Sequence, residues 1–433
     1  MSKIMLWPDI YKEQGHWLPC INLAKTLQGA GHTIKFMGIA DCASIVSPYV
    51  TGPHLVDFYA TILNDIYPPG YTLENKLEPL DQRWKPHHLL PIAGNSAAGV
   101  PGALDAIFTG PNKPDLLISG YFTGLETLLI HHKYGIPFVT LTTYLRHPAD
   151  DPAIHAKTKL VYMPRALSQL LIDRVTNNSG MDIDTFIEPL EAADELIPCP
   201  RAFDFTDPDW VHGERTHYVE PMIERESLDG SNTVPSDPVP ALNQPGNTKR
   251  VIYGTSGSQV QDYEFQARTF FLSLIEMMKT QGMQDYHLIL AVGDKLYSQF
   301  QLEFGIDVGG TYNTLPSNVS LFPWVSQLDI VKRADVVFMH GGLATIKESI
   351  WEKVPIVIVP HGKDQHDNAM RISKAGVGVV AEVSSLSPTD LRQLFTKAVA
   401  SSWIRRRLNK LQAVFDDAET AKPSLPIIQA ALP

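Results

Sequence analysis

Residues 324–368 read WVSQLDIVKRADVVFMHGGLATIKESIWEKVPIVIVPHGKDQHDN, and this stretch decides the fold. The apolar run ADVVFM predicts a buried parallel strand, and the HGG after it predicts a tight turn whose backbone can approach a phosphate group. A helix is expected next, followed by the apolar strand VPIVIVP. Strand, helix and strand in succession form the unit from which α/β sheets are built.

The helix expected after the glycines has two unlike faces when residues are placed 100° apart. One face carries Ala344, Thr345 and Glu348, and the opposite face carries Leu343, Ile346 and Ile350. Free N–H groups and the helix dipole, roughly half a positive charge at the amino end, favour a bound diphosphate there. The Thr345 hydroxyl adds a donor, and Glu348, one turn deeper, is suited to accept from ribose hydroxyls.

Two polar residues follow the second apolar strand. Asp364 and Gln365 stand in the loop HGKDQHDN, beyond the carboxyl end of that strand. Open α/β sheets bind ligands at this edge. An acid beside an amide suits neighbouring sugar hydroxyls, so the whole unit predicts a sugar-nucleotide site.

These motifs occur in an order that resembles a known signature. The set W-x-x-Q, H-x-G, T, E, V-P, P and D-Q-x-x-N is similar to that of the family 1 UDP-glycosyltransferases, which have the GT-B fold. The resemblance implies an α/β architecture of two Rossmann-like domains that face each other across a cleft, with a C-terminal helix returning to the first domain. It also implies a UDP-sugar as co-substrate and no cofactor.

The resemblance assigns a donor-binding role to each matching position. These are Trp324 and the Val325 backbone for the uracil, Glu348 for the ribose, His340 and Thr345 for the diphosphate, Asp364 and Gln365 for the hexose, and Gln327 and Gly342 within the same motif. Leu343 and Ala344 stand where plant members carry Trp and Asn, and the Trp-to-His spacing is the shorter one of bacterial and other non-plant members. The Asp-Gln pair favours UDP-glucose, with UDP-galactose, UDP-N-acetylglucosamine and a dTDP-sugar as alternatives.

A second loop follows a predicted strand near the middle of the chain, in RVIYGTSGSQ at 250–259. It resembles the family's V-S-x-G-S loop beside the diphosphate, carried here by Thr255, Gly257 and Ser258. Loops of this kind are common in α/β folds, so the motif alone is weak. Trp324 alone is likewise typical of a core aromatic; the ordered combination favours a donor site.

Residues 3–38 read strand, loop, helix, Gly turn and strand, and they include a candidate general base. Pro19 is tolerable only in a helix's first turn, which places His16 at the helix entrance. An imidazole with a pKa of about 6.5 suits proton removal near neutral pH, and a helix amino end favours its neutral form. QGHWLP resembles the family's G-H-x-x-P motif, which implies that His16 deprotonates the acceptor. The alternative is a capping or packed histidine.

The usual partner of this histidine is missing from its expected place. Many family members carry an orienting Asp in a segment like P-D-L-V-I-x-D, whereas this chain has PDLLISG, with Gly120 at that position. A carboxylate there would hold the imidazole tautomer and stabilise its protonated form. Asp150, Asp151 and Glu126 are candidate replacements because they lie near neighbouring strand ends.

The implied reaction is inverting transfer of a hexose from a UDP-sugar to a small lipophilic acceptor. Two alternatives remain: a GT-B-type sugar-nucleotide epimerase or hydrolase, and a non-catalytic nucleotide-binding scaffold. No metal is expected. The D-x-D patterns at 182–184 and 207–209 recur by chance in sequences, and His361 and His366 lack companion ligands at a recognisable spacing.

The length of 433 residues exceeds what one core supports and predicts two domains. We expect an acceptor-binding domain at 1–224, a polar linker rich in Pro, Ser, Asn and Gly at 225–249, a donor-binding domain at 250–402 and a helical tail at 403–433. Acceptor-binding loops are expected in the irregular span from about 45 to 110, which contains Trp84.

Charge and cysteine content limit the partners and the compartment. A net charge of −11 and the lack of a Lys/Arg cluster other than WIRRRLNK at 403–410 argue against nucleic acid. No secretory signal or apolar stretch of membrane-spanning length is evident, so a cytoplasmic protein is expected. Three scattered cysteines, Cys20, Cys42 and Cys199, are typical of reduced thiols.

Overall fold

The computed structural model describes most of the chain and divides it into two compact units. The described residues are 1–9, 13–38, 42–46, 55–57, 89–177, 180–223, 239, 242, 248–258, 260–305, 314–382 and 386–433. The first unit consists of Met1–Pro198, Thr206–Met222 and Ala421–Pro433, and the second of Cys199–Phe205 and Ile223–Thr420. Trp84 and nearly all of the predicted linker at 225–249 lie outside the described residues.

The first unit is built on a seven-stranded parallel sheet with the order β3-β2-β1-β4-β5-β6-β7. Its strands are β1 Lys3–Trp7, β2 Thr33–Gly38, β3 Leu55–Asp57, β4 Leu116–Gly120, β5 Phe138–Leu141, β6 Glu195–Ile197 and β7 Thr216–Tyr218. β1 and β4 are fully buried apart from Lys3, as expected for parallel strands covered on both faces. The predicted alternation of strands and helices is therefore correct for this half of the chain.

Eight helices and the last helix of the chain cover this sheet within the described residues. They are α1 Gln14–Gly29, α2 Ala43–Val46, α3 Leu90–Ala93, α4 Asp105–Phe108, α5 Gly124–Tyr134, α6 Pro152–Tyr162, α7 Arg165–Thr176, α8 Ile183–Glu191 and, from the end of the chain, α16 Ser424–Ala431. Asp182 caps α8 by accepting from the Thr185 N–H at 2.7 Å, and Asp184 pairs with Lys157 at 2.5 Å. The D-x-D pattern at 182–184 thus has a structural explanation.

Helix α1 begins earlier than the sequence indicated. It starts at Gln14, so Pro19 lies inside the helix, in its second turn, and not in the first. The expectation that Pro19 marks the first turn is wrong. Pro19 has no N–H to donate to the carbonyl of Gly15, so the helix lacks one backbone hydrogen bond at this turn.

The second unit is built on a six-stranded parallel sheet with the order β10-β9-β8-β11-β12-β13. Its strands are β8 Arg250–Thr255, β9 Tyr286–Ala291, β10 Val319–Phe322, β11 Ala334–Met339, β12 Ile356–Ile358 and β13 Gly378–Val380. Its helices are α9 Glu264–Met278, α10 Asp294–Phe304, α11 Gln327–Val331, α12 Leu343–Trp351, α13 Gln365–Ala375, α14 Pro388–Ala400 and α15 Ser402–Ala421. Two doubly wound parallel sheets are what the resemblance to GT-B proteins implied.

The C-terminal tail divides between the units. α15 buries Ile404, Leu408, Leu411 and Phe415, and Arg407 donates to the Ala375 carbonyl at 2.8 Å, so this helix belongs to the second unit. Only residues from Ala421 onward pack on the first unit, where Ile428 is fully buried in its core. The tail predicted from residue 403 thus returns to the first unit about 18 residues later than expected, because the apolar face of α15 is covered within the second unit.

Among the described residues, no helix is both long enough and apolar enough to cross a membrane.

Candidate functional site

The predicted donor-binding residues gather at the carboxyl edge of the second sheet. β8, β11 and β12 are adjacent, and Met339 pairs with Thr255 on one side and Ile358 on the other. Because all three strands are parallel, the loops that follow them emerge side by side. The loops at 255–258, 340–342 and 360–364 are therefore neighbours.

His340 is held between two glycines. A Cβ on Gly257, which has a φ of +71°, would lie 2.5 Å from the His340 Cε1 atom, and a Cβ on Gly342 would lie 2.9 Å from it. Gly342 is also the residue before α12, as the HGG turn predicted. The two glycines thus allow the imidazole to stand directly at the amino end of α12.

The His340 imidazole is neutral and not cationic. Burial lowers the pKa of His340 to about 3 and that of the neighbouring His361 to about 4. The ring centroids of the two histidines are 6.1 Å apart, and His361 Nε2 lies 3.1 Å from the Ser256 hydroxyl. A diphosphate at this position would therefore receive a hydrogen bond from an uncharged imidazole, and the positive potential would come from the helix amino end.

Gln327 connects the side chains assigned to the ribose and diphosphate. Its amide nitrogen donates to Glu348 at 2.6 Å and lies 3.2 Å from the Thr345 hydroxyl. Its carbonyl oxygen accepts from the Tyr253 hydroxyl at 3.2 Å. Gln327 thus fixes Thr345 and Glu348 relative to one another before any ligand binds, a role that its place in the motif did not specify.

Glu348 has an environment that favours its protonated form. Burial raises the pKa of this carboxyl to about 7, against the opposing effects of the Gln327 hydrogen bond and the charge of Lys347. Lys347 is itself buried, and burial lowers its pKa to about 8. A carboxyl that titrates near neutrality is sensitive to the arrival of hydrogen-bond donors such as ribose hydroxyls.

Trp324 is fixed by a residue that the sequence did not single out. Its indole N–H donates to Asp294 at 2.8 Å, and Asp294 opens helix α10 after strand β9. The indole is only partly buried and is not one of the buried core residues. The uracil-stacking role of Trp324, and of the Val325 backbone that follows it, stays a prediction.

Asp364 and Gln365 do not contribute to the site in the same way. The side-chain amide oxygen of Gln365 accepts from the backbone N–H groups of His361 and Gly362, at 2.7 and 3.1 Å. This oxygen therefore stabilises the loop that precedes Gln365. Asp364 accepts from Asn368 at 3.0 Å, and burial raises its pKa above the usual value. For a sugar, Gln365 therefore offers its amide nitrogen, whereas Asp364 offers carboxylate oxygens.

A buried ion pair is linked to Asp364 through the side chain of Asn368. Arg371 donates to Asp204 at 2.8 Å, with both side chains fully buried, and to the Asn368 amide oxygen at 3.1 Å. Asn368 also donates to the Gly341 carbonyl at 2.9 Å. The segment Cys199–Phe205, which the second unit contains, thus reaches the hexose-assigned loop through two hydrogen-bonded side chains.

In the first unit, His16 lies in the first turn of α1 with a carboxylate against it. His16 Nδ1 is 2.5 Å from Asp9 Oδ2, and Asp9 is buried two residues beyond the end of β1. The residues proposed from the sequence as the partner have other roles. Asp150 accepts from the Tyr121 hydroxyl at 2.6 Å, Asp151 caps α6, and Glu126 lies 3.8 Å from Lys159.

An aromatic cluster begins at His16 with Phe122 and continues to Tyr121 and Tyr144. Phe122 stacks on the imidazole with a centroid distance of 5.5 Å and an interplanar angle of 28°. Tyr121 meets Phe122 edge-on at 5.0 Å, and Tyr144 stacks on Phe122 at 6.1 Å. Since Phe122 and Tyr144 are only partly buried, an apolar surface adjoins the histidine.

Three residues of these sites were not found from the sequence. Asp9 stands in the segment WPDI, where an acid after a strand was visible but had no motif. Asp294 follows HLILAVG in the same manner, and Ser256 lies inside the quoted Gly/Ser loop. In each case the useful signal is a polar residue within three residues after a buried strand, at the edge where parallel sheets bind ligands.

Comparison with known proteins agrees with this geometry. Residues 255–416 match the model of the glycosyltransferase family 28 C-terminal domain. The NDP-glycosyltransferase YjiC of Bacillus licheniformis is 23% identical over 332 residues, which cover 76% of this chain and 75% of that protein. For three other bacterial relatives the match spans only 26 to 38% of the relative's own length.

Solved structures agree with the chain over nearly its whole length. The glycotransferase of kitacinnamycin superposes with a TM-score of 0.69 at 22% identity and covers 100% of this chain and 99% of its own. CalG4, the calicheamicin glycosyltransferase, superposes with a TM-score of 0.66 at 18% identity and covers 99% and 98%. At these identities the superpositions establish the fold.

The two parallel sheets, the edge loops of the second unit and these matches define a glycosyltransferase of the GT-B class, which uses a nucleotide sugar. The order of the donor motifs narrows the class. Over residues 255–416 the chain matches a glycosyltransferase domain, and this match agrees with the resemblance to family 1 glycosyltransferases drawn from residues 324–368.

Proposed function

We propose that this protein is an inverting glycosyltransferase that moves a hexose, in the first instance glucose, from a UDP-sugar to a hydroxyl or similar nucleophile of a small lipophilic natural product. His16 is the general base. The activity requires no cofactor and takes place in the cytoplasm, and its partners are the two substrates and not nucleic acid.

The observation that carries the donor assignment is the hydrogen-bonded set at the amino end of α12. Gln327 holds Thr345 and Glu348, and His340 stands at the same helix end between two glycines. A helix amino end with backbone N–H groups suits a diphosphate, and a carboxyl one turn deeper suits a ribose. The indole of Trp324, held by Asp294, supplies a stacking face for a planar base.

The chemistry proposed for the transfer is a single displacement. The acceptor oxygen attacks the anomeric carbon, its proton passes to His16, and the bond from that carbon to the diphosphate oxygen breaks, so that UDP leaves. The sugar carbon is inverted because attack and departure occur on opposite faces. The amino end of α12 and the neutral His340 support the charge that develops on the leaving diphosphate.

The acceptor class is supported by the rings beside His16. Phe122, Tyr121 and Tyr144 form a surface that suits an apolar molecule with a hydroxyl at its edge. The solved structures with the same fold include glycosyltransferases whose names refer to the natural products kitacinnamycin and calicheamicin. Acceptors of that kind are the first to test.

A mass-spectrometric search for acceptor plus hexose tests this proposal. The protein and a His16→Ala variant are incubated with UDP-glucose and a library of phenols, polyketides and terpenoids. General-base help is typically worth about 10²- to 10⁴-fold, so the variant should form product slower by that order and still bind UDP. Equal product from both proteins would remove His16 from its role, and UDP formed without acceptor would indicate a hydrolase.

A further inference from the structure

We propose that Asp9 is the positioning residue of His16 and that it occupies, from the neighbouring strand, the place of the carboxylate that is absent at position 120. This inference rests on the proposed role of His16 as general base. A carboxylate would then still orient the histidine, but it would come from position 9 and not from position 120.

The contact between the two side chains is direct. Asp9 Oδ2 lies 2.5 Å from His16 Nδ1, so the two side chains share a hydrogen bond. The Asp9 side chain is only 7% exposed and that of His16 is 18% exposed. A buried carboxylate needs hydrogen-bond donors, and the imidazole N–H is one of them.

Gly120 explains why the carboxylate comes from β1 and not from β4. These strands are neighbours, with Trp7 paired to Ser119, so Pro8 lies beside Gly120 at the carboxyl edge. A Cβ on Gly120 would lie 1.8 Å from the Pro8 carbonyl oxygen and 2.8 Å from its carbon. Any side chain at 120 would therefore displace the Pro8 backbone, and with it Asp9.

A side chain at position 120 and the contact between Asp9 and His16 cannot occur together. With a carboxylate at position 120, the chain after β1 could not follow its present path, and Asp9 would not reach His16. With glycine at 120, the Pro8 carbonyl occupies the space, and the following residue turns its side chain to the imidazole. We infer that Gly120 is required by the path of Pro8 and Asp9.

Asp9 also determines which nitrogen of His16 takes the proton. When Nδ1 carries hydrogen and donates it to Asp9, Nε2 carries the lone pair that accepts the acceptor's proton. The imidazolium formed during transfer is then stabilised by the adjacent negative charge. The stacked Phe122 ring fixes the imidazole plane, so Asp9 and Phe122 together orient Nε2.

The negative charge of Asp9 also affects the thiol of Cys20. Burial and the charge of Asp9 together raise the pKa of the Cys20 thiol, which lies one turn beyond His16 in α1.

The deciding experiment observes the tautomer of His16 directly. The full-length protein, its Asp9→Asn variant and a His16→Gln variant that identifies the signals are labelled with 15N at histidine and compared by NMR. We expect wild-type His16 to carry its hydrogen on Nδ1 and the Asp9→Asn variant to lose this preference. A wild-type hydrogen on Nε2, or the same tautomer in both proteins, would overturn the inference.

A rate measurement with UDP-glucose and phenols of graded acidity, from 2-naphthol to 4-nitrophenol, gives the second readout. We expect Asp9→Asn to lower kcat about 100-fold with little change in the KM for UDP-glucose, and the loss to be larger for the less acidic phenols. Asp115→Asn is the matched control, because it makes the same charge change at the opposite end of β4, where Asp115 accepts from the Lys3 backbone N–H. A uniform loss across the phenols would indicate a structural role for Asp9.

Gly120→Ala tests the exclusion argument. Its Cβ would displace the Pro8 carbonyl, so we expect a loss of kcat similar to that of Asp9→Asn, together with the same change of the His16 tautomer. Gly213→Ala, where the built Cβ meets nothing within 4 Å, is the control and should keep wild-type rates. A fully active Gly120→Ala variant would contradict the argument.

These variants separate this inference from the proposed function. If His16→Ala transfers hexose as well as wild type does, the proposed function fails. If His16→Ala is inactive while Asp9→Asn keeps full rate and the wild-type tautomer, only the role of Asp9 fails.

Discussion

At the scale of single residues, burial sets the charge state of the donor site. His340 and His361 are neutral at physiological pH because burial lowers the pKa of each to about 3 and about 4. Glu348 differs from both, since burial raises its pKa to about 7, close to the working pH. Part of the Glu348 population is therefore protonated in the free protein.

Donor binding should weaken as the pH falls through 7. In the proposed binding mode, ribose hydroxyls donate to the ionised carboxylate of Glu348. Binding therefore favours the ionised form and, at a pH below the pKa of free Glu348, requires the carboxyl to lose a proton. We expect the Kd for UDP-glucose to rise as the pH drops from 8 to 6, approaching tenfold per unit below pH 7. Isothermal titration calorimetry measures it, and UDP-glucose is preferred to UDP because it has no terminal phosphate that titrates in this range.

Glu348→Gln is the matched variant for this prediction. It keeps the size of the side chain and removes its titration, so its Kd should be weaker and nearly constant between pH 6 and 8. A wild-type Kd that does not change over this range would show that Glu348 does not exchange a proton on binding. The buried Lys347, with a pKa of about 8, would remain as the source of any slope that persists in the variant.

At the scale of elements, the loops that follow parallel strands hold the chemistry. In the second unit the loop after β8 confines His340 through Gly257, whose positive φ and close approach both require glycine. In the first unit the loop after β1 delivers Asp9 to His16 because Gly120 leaves room for it. Glycines at the carboxyl edge of each sheet therefore determine where the functional side chains stand.

Gly257→Ala should impair donor binding through contact with His340. The added Cβ would lie 2.5 Å from the imidazole, so we expect UDP affinity to fall at least tenfold in a fluorescence or calorimetric titration. Gly282→Ala is the control, because Gly282 has a φ of +90° and a built Cβ that meets nothing within 4 Å. Both variants strain the backbone, and an equal loss of affinity would assign the effect to strain and not to His340.

The sequence predicted these elements best where apolar runs and glycine turns coincide. ADVVFMHGG and the helix after it were predicted correctly, since Leu343, Ile346 and Ile350 are buried and Gly342 precedes the helix. The first-turn expectation for Pro19 was wrong because α1 begins at Gln14 and accommodates the proline in its second turn. Asp9 was missed because an acid after a strand belongs to no motif, and its pairing with His16 depends on the path of the loop between β1 and α1.

At the scale of the whole molecule, two units with separate cores divide the chemistry. The second unit contains the donor-assigned loops, and the first contains His16 with its aromatic neighbours. The end of the chain contributes to the first unit, where Ser424 donates to the buried Glu220 through its hydroxyl at 2.5 Å and its backbone N–H at 3.1 Å. Ile428 is fully buried in the same core.

Shortening Ile428 should destabilise the protein without affecting donor affinity. Ile428→Ala removes buried methyl groups, and such changes cost about 2 to 5 kcal/mol in the free energy of unfolding. Urea unfolding measures the loss, and Ile154→Ala is the control because Ile154 is 45% exposed. Since Ile428 belongs to the first unit, UDP binding should remain within twofold of wild type. Loss of UDP affinity at unchanged stability would contradict this division.

The most direct test of the central claim is acceptor-dependent UDP release. UDP formed from UDP-glucose is measured with and without a phenolic acceptor, for wild type and for His16→Ala. We predict release that requires the acceptor and falls about 10²- to 10⁴-fold in the variant, while the Kd for UDP stays the same. Release that is independent of the acceptor, or equal in the two proteins, would contradict glycosyl transfer with His16 as the base.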